Sequence, residues 1–518
     1  MASSDFWSSI GTTPTDVERA YAFLLERGAA ASSREIAAHL IELRVREEEK
    51  RLAEAAARQA PVYQPKQTYP VGQHLIFSTF EHREGVVTQV RAGENPRRES
   101  FQVIAVTLEG ETAPREFAAA YTAPHPLNEE RAVLTELTIK PAEAVAQYGE
   151  AVRAVLVQRL SADKEFVRLD DGWFLRGLLP QVHDGYLNLA EAAIEQTGDA
   201  QRTPELLKIL EFPETVKKSV ATFALNLALA RDARFEDVGV PGDPRWFLVR
   251  LEPPEAREQP KILSGAPARH ITLTNEFEAI ANDLQDEADV NGVKPAVPPR
   301  EEVTLVLTYP HRRAGTLPLT AAVRALLPAF ERPRLRITFV DATTQEKFAG
   351  YARAEGAYIA GLTAWLNARK LSPGAYITLR RTQQPLTLTI DFQAQRERGL
   401  WVRVARGING HLTFSQEKKP IAHKYDEDML IVVPDVAGIE AAAQVVREQH
   451  TLNTLLEEIF PELAKLSGAG RVHAKTIYSA VNLLRRAGPR AVLSALIESR
   501  AFASVGGGYF VLADEARR

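Results

Sequence analysis

A short phrase recurs three times in this chain of 518 residues: a Phe, an aliphatic residue three positions on, a polar or Gly-rich gap, then an aromatic pair and an aliphatic residue. It reads Phe166, Leu169, Trp173, Phe174, Leu175 in the first copy and Phe235, Val238, Trp246, Phe247, Leu248 in the second. The third copy is Phe502, Val505, Tyr509, Phe510, Val511. The first and third share one spacing, whereas the second carries an insertion at 240–243, where a hairpin tip would lie. A phrase repeated in this way predicts a repeated supersecondary unit. Each copy follows a segment of helical spacing, at 152–160, 219–230 and 491–499, so helix, strand, tight turn, strand is expected three times. Further amphipathic segments, 187–196 and 203–210 before the second copy and 474–486 before the third, supply additional helices.

A helix followed by a hairpin is how a winged helix closes, and three helices with a wing fit the second and third copies. The alternative is that hairpins ending in aromatics are ordinary core pieces. At this length the chain divides into several domains, and 45% hydrophobic with 25% charged residues is a globular composition. No apolar run is long enough to span a bilayer, and the start MASSDFWSSIGTTPTD lacks the basic and apolar regions of a leader; a cytoplasmic protein with no membrane partner is expected. The absence of cysteine excludes disulfides, thiolate zinc sites and cysteine nucleophiles together.

The formal net charge is −4, yet charge is unevenly spread. Residues 301–425 hold 19 Lys plus Arg against 9 Asp plus Glu, and the remainder is net acidic. A polyanion responds to the charge within a Debye length, so one basic module in an acidic chain is compatible with nucleic-acid binding. Solvated surface arginines are the competing explanation.

Read in order, residues 1–60 form a helical unit. It comprises a helix over 14–28 ending at Gly28 and a longer one over 34–58 capped by Ser33, which together resemble the start of a helix-turn-helix. Residues 69–125 alternate in short runs that predict a small β-barrel, with Arg91, Arg97 and Arg98 near a turn. The first winged unit is expected at 130–180, the second at 181–252, and a linker with one helix at 253–300. In that linker the acidic cluster Asp283, Asp286, Glu287 and Asp289 lacks the alternating oxygens of an EF-hand loop and is taken as a solvated helix end. The basic β-rich module follows at 301–435 and a C-terminal winged unit at 445–518. The fold class is therefore expected to be α+β and multidomain.

Within the basic module the order is strand 303–308, Pro310-His311-Arg312-Arg313, the Leu317-Pro318 step, and a helix over 321–327. Strands at 335–341, 347–353 and 357–359 precede Gly361-Leu362, a short helix around Trp365, Gly374-Ala375 and strands at 376–380, 386–392 and 400–404. This order resembles the DNA-binding pseudobarrel of plant transcription factors and of some restriction endonucleases over about 301–406, although that family often has Gly-Asp where Gly374-Ala375 stands. The segment 472–512, with Ala474-Lys475-Thr476, Leu483-Leu484-Arg485-Arg486 and the third aromatic phrase, resembles the helix-turn-helix units of the RNA polymerase delta factor and of restriction-associated proteins. The resemblance implies duplex DNA as a partner, and RNA polymerase or another protein as a second one. Its expected nucleic-acid contacts are Arg312, Arg313, Arg334, Arg336, Arg369, Lys370, Arg380, Arg381, Arg396, Arg398, Arg403, Lys475, Arg485 and Arg486. Phosphate contacts would position the protein, and a few forked arginines would read bases.

Enzyme chemistry has little footing. The chain has no phosphate-cradling G-x-x-x-x-G-K-[ST], no H-E-x-x-H and no G-x-S-x-G. Asp426, Glu427 and Asp428 offer the carboxylates of a metal nuclease, but the nearby Lys418, Lys419 and Lys424 lie on the wrong side of the following strand, and a solvated loop is the plainer reading. The histidines are scattered, His270, His411 and His473 among them. The expectation is a non-enzymatic DNA-binding protein without cofactor or metal, acting in transcription regulation or restriction-like defence. The alternatives are a winged-helix docking adaptor and a nuclease subunit.

Overall fold

The computed structural model describes residues 10, 13–58, 60–80, 83–95, 100–128, 140–213, 215–265, 272–289 and 300–513. The chain is mixed α+β and divides into two units, one of residues 1–181 and 214–224, the other of 182–213 and 225–518.

In the first unit, helix Pro14–Arg27 starts on the Thr13 cap and stops at Gly28, whose φ of 58° closes the last turn. The two-residue strand Ala31–Ser32 then leads straight into helix Ser33–Arg58. That strand pairs with Gly172–Leu175, matching Ala31 to Trp173, and Gly172–Leu175 pairs in turn with Phe166–Leu169. The helices at 14–58 and the hairpin at 166–175, read from sequence in separate segments, thus share one sheet and core. Pro141–Ala162 completes it, and Ala31, Ile36, Leu40, Leu156, Phe166 and Trp173 share one core. The reason is burial: Trp173 is 1% exposed, and a side chain of that size contributes about 1.5–3 kcal/mol only when covered from several elements.

The segment between these halves forms its own antiparallel meander, His74–Phe77, Arg83–Ala92, Gln102–Leu108 and Arg115–Ala119. Residues 61–67 join its first and last strands. Tyr63 donates its amide to the Ile76 carbonyl and its hydroxyl to Ala118, and Ala120 donates to the Gln67 carbonyl. Arg91 there is paired with Glu116 at 2.8 Å, while Arg97 and Arg98 lie outside the described residues.

The other two copies lie in the second unit, except that residues 218–224 of one belong to the first. One runs helix Asp184–Thr197, strand Gln201–Arg202, helix Thr203–Ile209, helix Lys218–Arg231, then strands Phe235–Asp237 and Arg245–Leu248. The other runs Leu452–Ala464, Val472–His473, Ala474–Leu484, Pro489–Glu498, Phe502–Ser504 and Tyr509–Leu512. In all three copies a two-residue strand pairs with the second hairpin strand, through Ala31 to Trp173, Gln201 to Trp246 and Val472 to Phe510. The aromatic phrase therefore marks a shared topology, because the aromatic side chains that fill the core sit on the strand that receives the short one.

Between these copies lies a curled seven-stranded sheet, ordered Glu302–Val306, Tyr376–Arg381, Thr387–Phe392, Arg334–Asp341, Lys347–Arg353, Tyr358–Ala360, Leu317–Pro318. Only Arg334–Asp341 and Thr387–Phe392 pair parallel. Short helices Tyr309–Ala314, Ala321–Arg324 and Thr363–Ala368 are interspersed, and Leu305, Phe339, Ile377 and Trp365 share its core. Gly374, at φ 97°, lies so close to the next segment that a Cβ would meet the Leu430 backbone at 2.8 Å.

Two sequence expectations change here. The run at 400–404 is not the last strand of this sheet. It belongs to a long hairpin, Ala394–Ile408 with His411–His423, joined in parallel by Ile431–Val432. Asn409 (φ 52°) and Gly410 (φ 82°) form its two-residue turn, the backbone that type I′ hairpins require. The helix Asn275–Leu284 is likewise no linker: Phe277, Ala281 and Leu284 enter the core of the C-terminal copy, and Phe277 stacks on Phe510 with centroids 5.5 Å apart.

Candidate nucleic-acid interface

Most of the cations expected to meet phosphates are held by the protein itself. Arg334 donates through Nε to Glu236 at 2.8 Å and lies 3.3 Å from Glu252, while Arg336 pairs with Asp199 and sits 4.8 Å over the Phe247 ring. Both side chains tie the sheet strand Arg334–Asp341 to the second repeat copy. Arg369 reaches Asp341 at 2.8 Å, and Asp341 also accepts from the Trp365 indole. Burial raises the Asp341 pKa, but hydrogen bonds from the Thr344 amide, Trp365 and Arg369 outweigh it and hold the carboxyl at about 2.

Arg380 pairs with Glu302 and Arg313 with Glu440, the latter at 2.6 Å. Carbonyls take others: Arg312 donates to Leu371 at 2.6 Å, Arg381 to Ala325, and Arg403 to Glu427 at 2.8 Å. Burial lowers the pKa of both Arg312 and Arg403 from the ordinary arginine value. In the C-terminal copy Arg485 donates to the His450 carbonyl at 2.8 Å. Lys475 bridges Asp283 and Asp426, the latter at 2.8 Å; burial opposes its charge, but those two carboxylates hold its pKa above the ordinary value.

Arg486 is buried against Asp286 and Glu287. The acidic cluster at 283–289 is thus not the solvated helix end expected from sequence: Asp286 and Glu287 are buried counter-ions, and Asp289 pairs with Arg490 at 3.2 Å. Asp426 is engaged too, accepting from the amides of Asp428 and Met429 as well as from Lys475. Among the described residues, no group of three or more His, Asp or Glu side chains is placed to hold a metal ion.

Three of the expected cations remain exposed with no side-chain ion pair or hydrogen bond among the described residues: Lys370, Arg396 and Arg398. Arg396 and Arg398 lie at the open end of the long hairpin, where the register shifts between Ala394 and Arg398. Sequence reasoning missed an exposed aromatic side chain of this hairpin. Trp401 is 70% exposed, the most exposed large hydrophobic side chain among the described residues, and stands opposite Lys418 across the hairpin. Lys418 and Lys424 are also exposed and unpaired among the described residues.

The opposite face of the same strands explains the exposure. Leu400, Val402, Val404 and Ile421 pack with Leu430, so strand alternation turns Trp401 and Lys418 to the other side. Of the nearby carboxylates, Glu417 is occupied: Arg406, Lys419 and Ser415 hydrogen-bond it and lower its pKa to about 2. The Asn409-Gly410 pair was the signal that marks this hairpin in the sequence.

The chain matches no protein-family model, no curated protein and no solved structure.

Proposed function

We propose that this chain is a DNA-binding protein, acting in transcription regulation or restriction-like defence, whose contact surface is the open end of the hairpin Ala394–Ile408/His411–His423. One observation carries the reading: among the described residues Lys418 is unpaired opposite the exposed Trp401, and Arg396, Arg398 and Lys424 are unpaired at the open end of the same hairpin, while the other arginines expected at the DNA are spent on carboxylates and carbonyls of the chain itself. Unpaired cations supply the salt-dependent attraction to phosphates. An exposed indole supplies a face on which an unstacked base can lie, contributing about 1–3 kcal/mol per base.

The curled seven-stranded sheet is consistent with the pseudobarrel likeness, and the three helix, short strand, helix, hairpin units with winged helices. A docking role for those units has its own support. The helix Pro489–Glu498 is buried from Ala491 to Leu496, and its one arginine, Arg490, is bound by Asp289 and Glu278. That helix so engaged leaves no cation for a groove, so the C-terminal winged unit acts here as scaffold and protein contact.

Fluorescence anisotropy of the full chain with labelled duplex and single-stranded DNA, across a salt series, tests the proposal. Arg396→Glu with Arg398→Glu and Lys418→Glu should flatten the salt slope by about one for each phosphate no longer neutralised. Trp401→Ala should weaken single-stranded binding more than duplex binding. No binding by the wild-type chain at low salt, or binding indifferent to these exposed substitutions, would sink it.

A further inference from the structure

In the second unit a cavity of about 620 Å³ lies among the segment 260–264, helix Tyr309–Ala314, helix Val436–Gln449 and the end of helix Ala474–Leu484. Its charged lining is one-sided: Lys261, Arg313, Arg447, Arg485 and Arg486 against Glu440 alone. Glu440 is used by Arg313 at 2.6 Å, and Arg486 by Asp286 and Glu287. Lys261 and Arg447 are exposed with no ion pair or hydrogen bond among the described residues, and Arg485 is bonded only to a neutral carbonyl. Three cations therefore face the cavity uncompensated. The carbonyl ends of the three helices that finish there oppose an anion by at most roughly half a charge each, which three full charges outweigh.

Tyr309 also lines the cavity and is 4% exposed. The remaining lining includes Ile262, Ile439, Ala443 and Leu483, an apolar wall suited to an organic body. The volume falls within the roughly 300–1,000 Å³ of small-molecule sites.

We infer that this cavity binds a small organic phosphate of nucleotide size, its phosphates held by Lys261, Arg447 and Arg485 and its organic part lying on the Ile262, Ile439 and Leu483 wall. The site is distinct from the hairpin around Trp401 and shares no residue with it.

Calorimetric titration of the full chain with ADP, adenosine and inorganic phosphate tests this. ADP should bind with an affinity that falls as salt rises, and adenosine should bind at least ten-fold more weakly. Lys261→Glu with Arg447→Glu, both at exposed positions, should weaken ADP at least ten-fold with an unchanged melting curve. Arg396→Glu with Arg398→Glu should leave ADP binding as it is, which separates this site from the DNA surface. No heat with ADP at millimolar concentration, full binding by the Lys261→Glu/Arg447→Glu variant, or inorganic phosphate binding as tightly as ADP would each overturn the assignment, the last reducing it to an adventitious anion only.

Discussion

Arg486 forms a two-pronged ion pair with Asp286, 200 residues earlier in the chain, with both side chains about 1% exposed. The same guanidinium reaches Glu287 at 2.7 Å, and Glu287 in turn meets His311 Nε2 at 3.0 Å. Burial pushes the Glu287 carboxyl up, but His311 and Arg486 hold it well below the usual carboxylate range. This network fastens the segment after helix Asn275–Leu284 to the C-terminal copy and to helix Tyr309–Ala314.

Removing one member of such a set leaves an uncompensated buried charge. Arg486→Ala should destabilise the second unit by about 3–5 kcal/mol, and Arg486→Met combined with Asp286→Asn and Glu287→Gln should recover much of that loss. Urea unfolding followed by tryptophan fluorescence measures both; equal stability of Arg486→Ala and wild type would refute the role given to this pair.

Arg334 and Arg336 were expected at the DNA, and the structure places them on carboxylates of the second repeat copy. Arg334→Ala should therefore lower the unfolding midpoint, since it takes from the buried Glu252 the cation 3.3 Å away, while DNA affinity of the folded protein stays within about two-fold. A large affinity loss with unchanged stability would return Arg334 to the interface.

Glu252 gives a pH dependence. Its carboxyl is buried with neither oxygen hydrogen-bonded among the described residues, and burial together with the nearby Glu236 raises its pKa from the ordinary 4.5 to about 7. Between those two values the folded state holds a proton that the unfolded chain has released. The stability this group contributes is complete below about pH 4.5 and is lost as pH rises through about 7. Glu252→Gln should match wild type near pH 4.5 and exceed it at pH 8 by up to about 3 kcal/mol. Melting curves at the two pH values decide it, and a constant offset between the proteins would count against the assignment.

Gly374 tests the join between the seven-stranded sheet and the hairpin region. Its φ of 97° and the 2.8 Å approach to the Leu430 backbone leave no room for a side chain. Gly374→Ala should destabilise by about 1–3 kcal/mol, read as a lower melting temperature. A neutral result would mean that the two segments separate at no cost to stability.

Local chemistry made several elements legible. Helical spacing marked the helices Pro14–Arg27 and Asp184–Thr197, and the stop at Gly28 marked the end of the first. The aromatic phrase marked three hairpins, since Phe166, Phe235 and Phe502 each head a strand that pairs with the aromatic strand after it. The pairing of Ala31–Ser32 with Gly172–Leu175 was invisible, because a strand of two residues has no periodicity and its partner lies beyond an inserted sheet. The Asn409-Gly410 turn of the long hairpin is legible in the sequence, whereas the strand expected at 400–404 covers only part of its first arm.

The candidate interface was the least legible part. Composition located a basic module, and so the supply of positive charge, but an arginine's fate depends on the nearest carboxylate in space. Arg334 finds Glu236, 98 residues away, and Lys475 finds Asp283, 192 residues away. By itself the sequence determined the repeated helix-and-hairpin phrase and the excess of cations, because those rest on local periodicity and counting. Only the tertiary structure decided which cations stay free on the long hairpin and which become counter-ions within the chain, because ion pairing acts through a few ångströms of space and takes no account of distance along the chain.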